Sequence, residues 1–297
     1  LCCGLLAFAY FVWSLASGRR SRRIERLSLV PLAGTAALLT ASMALRGYAA
    51  GHLPLGNGYE TMIFVAWCLS LLALGIGRRF PISAASGLLM SGFALLVASL
   101  GMANPQITPL VPVLRSPWLS LHVSLIMVSY ALLGLLMLNG TAALALAAAA
   151  RAGTAERTSR TLARLRLFGR LLLYPAVFLL TAGIFTGAVW ANASWGRYWG
   201  WDPKEVWALI TLIVYALPLH EQSLARFRRP LFFHAYTLWA FAAVLMTYFG
   251  VNYLLGGMHS YGGGFRPGYA AATVFAAVTA FALLTVAALI RQRRTDA

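Results

Sequence analysis

The sequence predicts an all-α polytopic membrane protein of roughly eight or nine transmembrane helices with short extracytoplasmic loops. Three observations predict it. Hydrophobic residues make up 60% of the 297 residues and charged residues only 10%, against about 25% charged in a soluble globular chain, and mean hydropathy is +0.75. The apolar residues fall in long runs, and a run of about 20 crosses the hydrocarbon core of a bilayer. The basic residues gather in alternate connections between those runs, as in a chain that threads a membrane repeatedly.

Nine runs qualify as spans: 1–17, 27–45, 59–77, 82–102, 118–150, 171–193, 206–222, 231–254 and 268–290. The first runs into arginines without a small-residue cleavage site, which argues against a cleaved signal peptide. The fifth is too long for one simple span and is expected to extend into water. The stretch 151–170 reads as a basic amphipathic connection facing lipid headgroups. Of the 24 lysines and arginines, nineteen fall in 18–26, 78–81, 151–170, 223–230 and 291–297. The other five are Arg46, Arg115, Arg197, Lys204 and Arg266. The positive-inside rule puts the first set in the cytoplasm, the N-terminus outside and the C-terminus inside. The net charge of +17 is therefore topological. No basic helix with interleaved aromatics points to nucleic acid. No repeat or soluble domain interrupts the pattern, so 1–297 reads as a single membrane domain. Cys2, Cys3 and Cys68 lie in apolar runs, form no Cys-x-x-Cys pair and read as small buried hydrophobes, with neither a disulfide framework nor a zinc signature.

One stretch departs from this apolar background. Five of the nine tryptophans fall within 190–207: Trp190, Trp195, Trp199, Trp201 and Trp207. An interfacial aromatic belt explains one or two tryptophans per helix end. It does not explain Trp-x-x-x-Trp-x-Trp-Asp with glycines between. Glycine lets a flat partner approach the backbone, and tryptophan offers a large rigid apolar face at low entropic cost. Together they suit a flat, mostly apolar ligand with a polar edge. Asp202, Pro203 and Glu205 form the pattern of an N-cap, a proline at the first helical position and a capping-box partner. For Asp202 and Glu205, helix capping and direct ligand contact are both open.

The five histidines sort by side. His52, His122 and His259 fall at the outer face, His220 and His234 near the inner one. His122 follows the helix start Ser116-Pro117 by just over a turn, and His259 lies in a glycine-rich loop. Two outer histidines beside an aromatic platform point to axial ligation of heme iron through imidazole. His220, 13 residues beyond Trp207, lies roughly 20 Å deeper. An ionisable group inside a membrane helix is a functional candidate. It reads either as a deeper ligand or as a side chain reaching the inner interface. His234 follows Arg228, Arg229 and Pro230 at a helix start and reads as interfacial. In the loop 51–60, Asn57, Tyr59 and Glu60 are placed to organise a helix start; for Glu60, a bond to backbone or to an arginine and a direct ligand role are both open.

These residues resemble the CcsA (ResC) family of system II cytochrome c biogenesis over most of the chain. The family's "WWD" signature corresponds to WGRYWGWDPKEVW, Trp195 to Trp207; its upstream loop to GHLPLGNGYETMIF; its two external histidines to His122 in SPWLSLHVSLIMVSYA and His259 in YFGVNYLLGGMHSYG; and its membrane histidine to His220 in ALPLH. The resemblance implies that heme b enters from the cytoplasmic side through a membrane site including His220. It then passes to an outer site with His122 and His259 as axial ligands. There Trp195, Trp199, Trp201, Asp202 and Trp207 would face the macrocycle. Apocytochrome c would present its Cys-x-x-Cys-His segment, and its thiols would add to the heme vinyl groups, as in a cytochrome c heme lyase. The resemblance further implies a CcsB (ResB)-like partner as a separate chain, and a location in the bacterial cytoplasmic membrane or, by family analogy, a thylakoid. A CcmC-type protein handing heme to a chaperone, a heme exporter without ligation activity and a non-heme transporter with a tryptophan-rich gate are the competing readings.

Overall fold

A computed structural model of the chain describes residues 1–19, 21–100, 105–107, 109, 110, 114–255, 257 and 268–296. Among these residues all regular structure is helical. The helices are α1 (Cys2–Ser17), α2 (Arg22–Leu27), α3 (Leu29–Ala50), α4 (Gly58–Gly77), α5 (Pro81–Ser99), α6 (Pro117–Ala149), α7 (Ala155–Trp195), α8 (Pro203–Ala216), α9 (Pro230–Leu245), α10 (Val251–Leu254) and α11 (Gly268–Asp296). Proline supplies the first helical residue of α5, α8 and α9, where its missing N–H would have no helical partner in any case.

Among the described residues, seven helices are long and apolar enough to cross a bilayer: Arg23–Ala50, Gly58–Gly77, Pro81–Ser99, Pro117–Ala149, Ala155–Trp195, Pro230–Leu254 and Thr273–Arg293. The two remaining runs from the sequence become shorter helices. α1 has 16 residues. α8 has 14 and passes directly into a 3₁₀ turn, Leu217–His220. α8 and its turn together cover about 29 Å, close to the ~30 Å hydrocarbon thickness. The chain is thus an all-α multi-pass membrane protein.

The stretch 151–170 is not the separate connection expected from its charge. After a short 3₁₀ turn, Ala152–Thr154, α7 begins at Ala155 and runs through Pro175 to Trp195, 41 residues in all. Its first third is rich in arginine, leucine and alanine, which are good helix formers. The charge therefore marks no break in the helix. At about 60 Å, α7 is twice as long as the hydrocarbon core is thick.

The helices pack as two compact units. The first comprises Leu1–Phe11, Ser21–Leu135 and Tyr174–Trp201, the second Val12–Arg20, Leu136–Leu173 and Asp202–Ala297. In the first, α4 and α5 form a close pair over small residues. A Cβ on Gly87 would lie 2.2 Å from the Ala73 Cβ. Leu32, Ala73, Ala84 and Leu88 form one buried cluster and Leu39, Ile63, Ala66 and Ala94 another, so α3 packs on the same pair.

In the second unit the interior is partly polar. Asn139 and His234 are both fully buried. Asn139 Nδ2 donates to Leu165 O at 2.9 Å, and His234 Nε2 lies 3.3 Å from Leu162 O. His234 is therefore not interfacial: the first turn of α9 packs against α6, with the Gly140 Cα facing His234 O. Neighbouring arginines and a proline could not reveal that packing. The cysteines also divide. Cys68 is buried as expected, whereas Cys2 and Cys3 are exposed on α1.

Candidate functional site

The tryptophan-rich loop is shorter than its sequence outline. α7 persists to Trp195, and only 196–202 separate it from α8. Two left-handed residues make so tight a connection possible, Gly196 at φ 72° and Trp201 at φ 56°. Gly196 takes that conformation freely. For a tryptophan it costs roughly 1–2 kcal/mol, and such strain persists where the surroundings impose it. Trp201 is 72% exposed and Tyr198 60%, so the strained residue holds an indole outward. Trp199 meets Trp201 edge to face at 5.9 Å, and Trp190, which is buried, meets Trp195 at 4.8 Å. The Arg197 guanidinium lies along Gly200, where a Cβ would stand 2.9 Å from Nε.

Asp202 closes the loop with the expected capping box. Its carboxylate accepts from Lys204 N at 3.2 Å, and Glu205 Oε2 accepts from Asp202 N at 3.1 Å. Both carboxylates therefore have structural work in the helix start. Lys204 Nζ donates to Asn252 Oδ1 at 2.9 Å. A Cβ on Gly257 would lie 2.6 Å from Asp202 Oδ1, so the segment after α10 lies against the start of α8. His259 itself, two positions later, lies outside the described residues.

α9 opens into a π turn over Met246–Gly250, a feature often found at functional sites. There Thr247 Oγ1 lies 2.9 Å from Thr211 Oγ1 and 3.1 Å from Trp207 O. Trp207, part-buried on α8, is thereby held to the strand of helix that leads toward His259.

His122 occupies a specific seat in the first unit. Its Nδ1 lies 2.6 Å from Gly183 O. A carbonyl only accepts, so Nδ1 carries the proton, and in the neutral ring the lone pair is on Nε2. A Cβ on Gly187 would come within 2.6 Å of both Cε1 and Nδ1. The ring therefore lies directly on the α7 backbone. From Gly187 the helix continues through Trp190 to Trp195, about 12 Å further along its axis. His122, Trp195, Trp199 and Trp201 all belong to this unit.

Asp202, Trp207 and His220 belong to the other. His220 ends the 3₁₀ turn after α8, exposed, with Nδ1 2.9 Å from Ala216 O of the preceding turn. Beside it in sequence, Glu221 is bound by Arg166 and, at 3.0 Å, by Arg170. Arg166 Nε also donates to Phe227 O at 3.0 Å.

The loop before α4 forms a third polar centre. Asn57 Oδ1 accepts from Glu60 N at 2.9 Å and caps the helix. Glu60 is 2% exposed. It meets both of its expected partners, pairing with Arg46 Nε at 2.8 Å and accepting from Gly56 N at 2.7 Å. Arg46 also stands 5.1 Å over the Tyr59 ring. His52 Nδ1 lies 2.9 Å from Leu53 O. Among the described residues no three His, Cys, Asp or Glu side chains gather as a site for a bare metal ion. The sequence reading passed over Gly183 and Gly187. Their spacing, a glycine four residues from another in an apolar helix, was the available signal.

Residues 55–259 match the family described as Cytochrome C assembly protein, a span running from the loop before α4 to His259. The chain is 36% identical over 305 residues to the cytochrome c biogenesis protein CcsA of Synechococcus sp. strain WH7803, covering 87% of this chain and 93% of that one. It is 37% identical over 288 residues to CcsA of Parasynechococcus marenigrum. It is also 42% identical over 228 residues to protein NrfI of Wolinella succinogenes, covering 77% of this chain but only about a quarter of NrfI's length.

Proposed function

Because this chain belongs to the CcsA family of cytochrome c assembly proteins, we propose that it holds heme at the tryptophan-rich end of α7 and presents it for covalent attachment to apocytochrome c. Its role is in cytochrome c biogenesis. The observation that carries the finer reading is the seat of His122. Its Nδ1 proton is engaged by Gly183 O, which leaves Nε2 with the electronic character of an iron ligand. A ligating histidine commonly has its other nitrogen bonded to a carbonyl in this way.

The whole chain, 1–297, acts as one heme-handling domain with heme b as its substrate. His122 and His259 are its axial ligands at the outer site, and Trp195, Trp199, Trp201 and Trp207 face the macrocycle. Asp202 caps α8 and borders the same site. His220 serves a second heme position within the membrane, on the route from the cytoplasmic side. The concentration of arginine in alternate connections supports an orientation with the tryptophan loop outside. The membrane is the bacterial cytoplasmic membrane or, by family analogy, a thylakoid. A CcsB/ResB-like partner chain completes the synthase.

The reaction is addition. Each thiol of the apocytochrome Cys-x-x-Cys-His segment adds S–H across a vinyl C=C. Sulfur bonds to the carbon nearer the ring, hydrogen goes to the terminal carbon, and no electrons are gained or lost overall. The chain's contribution is proximity and orientation, as a subunit of a heme lyase. The cofactor supplies the reactive groups.

The test is a pyridine hemochrome and Soret spectrum of the purified chain beside its His122→Ala and His259→Ala variants. Loss or shift of the Soret band in each is expected. Unchanged heme content and spectrum in both would refute the ligand assignment.

A further inference from the structure

We infer that Gly183 and Gly187 of α7 are positioning residues for His122, fixing its tautomer and the plane of its ring. This rests on the reading of His122 as a heme ligand. Three features of the first unit carry it.

The Gly183 carbonyl takes the Nδ1 proton at 2.6 Å. Gly187 provides the seat: a Cβ there would approach Cε1 and Nδ1 to 2.6 Å and Cγ to 3.3 Å. Those are three atoms of one rigid ring, so an alanine could be accommodated only by swinging the imidazole off the carbonyl. Gly183 does the same for the next turn of α6, where a Cβ would stand 2.6 Å from Ile126 Cδ1 and 3.4 Å from Ile126 N. Two glycines four apart on α7 thus receive two residues four apart on α6, the close-contact geometry of small residues between membrane helices. Two turns further on, Ser129 Oγ donates to Ala176 O at 2.8 Å. That is the same antiparallel register, so the seat is a locked helix–helix contact and not one side chain's preference.

The consequence for the reaction is electronic as well as steric. A carbonyl accepting from Nδ1 raises the basicity of Nε2 and holds the ring in one orientation. Losing it should weaken heme retention and raise the midpoint potential of the heme that stays.

The experiment uses the full chain in detergent with its bound heme. Gly187→Ala is expected to retain heme about 10- to 100-fold less tightly, with a positive shift in midpoint potential. Gly34→Ala and Gly75→Ala, where an added Cβ meets no other atom within 4 Å, serve as controls and should match the parent.

A second arm needs no heme. Thermal unfolding of the heme-stripped chain should show Gly187→Ala lowering Tm when His122 is present and leaving it unchanged in a His122→Ala background. There the ring that the Cβ meets is gone. Equal losses in both backgrounds, or a potential and retention identical to the parent, would overturn the inference. If Gly187→Ala alone fails to accumulate, recovery of folded protein in the His122→Ala background supports the seat, and failure there overturns it. Should His122→Ala leave heme content and spectrum untouched, the ligand reading falls while the unfolding cycle still reports on the seat.

Discussion

His122 and His220 are held in opposite ways. His122 lies on a neighbouring helix, and its Nδ1 is bonded to a carbonyl 61 residues away in sequence. His220 sits at the exposed end of its own segment, and its Nδ1 bonds only one turn back, to Ala216 O. The segment that carries His220 is built from local devices, a capping box at one end and a 3₁₀ turn at the other. A side chain seated by tertiary contact is preorganised in angle and tautomer, which is what the proposed presentation of heme to a second protein would require of His122. A side chain held by its own backbone can turn with little cost, which would suit the proposed passage of heme past His220.

The largest effect expected from breaking this contrast is at Glu221. Glu221 is a tertiary anchor beside His220, shared by Arg166 and Arg170, with side-chain exposures of 14%, 17% and 32%. Glu221→Ala would remove the carboxylate that two part-buried guanidiniums share and should cost on the order of 2–3 kcal/mol, read as a lower Tm in detergent. Glu221→Gln should lose about half as much. If the two histidines are independently held, the heme spectrum assigned to His122 stays unchanged in both variants. A change there would show that the two seats are coupled.

A smaller effect is expected at the other end of α8. Asp202→Ala removes the cap and should cost about 1 kcal/mol, whereas Asp202→Asn keeps most of it. Because Gly257 faces the Asp202 carboxylate, heme retention should follow the same order if the segment toward His259 depends on that cap. Thermal unfolding and hemochrome content measured together separate the two roles. Retention lost in Asp202→Asn at full stability would assign the carboxylate's charge to the ligand instead.

The contrast also marks what could be read in the sequence. The capping box of α8 and the Asn57 cap of α4 were legible because their partners lie within three residues. The spans were legible as apolar runs. The continuity of α7 was not, because arginine changes the charge of a helix without ending it. Backbone and an arginine were among the partners expected of Glu60, but only the fold selects Arg46, fourteen residues away. The glycine seat of His122 was not legible, because it depends on the register of α6 against α7. His234 was misread for the same reason: its neighbours in sequence are charged, and its neighbours in space are the interior of a helix packing.

The smallest expected change in stability is at Trp201, and its smallness is the point. Trp201→Gly would release the left-handed strain, roughly 1–2 kcal/mol. It would add roughly 0.5–1 kcal/mol of chain entropy to the unfolded state and lose the edge contact with Trp199, roughly 0.5–1.5 kcal/mol. These nearly cancel, so Tm should move by only about 2 °C in either direction. Heme retention should nevertheless fall, since the exposed indole is what the strain holds in place. An aromatic that is strained, 72% exposed and neutral for folding has its reason outside the fold. A large drop in Tm with heme content intact would instead make Trp201 a structural residue of the loop and leave the macrocycle to Trp195 and Trp199.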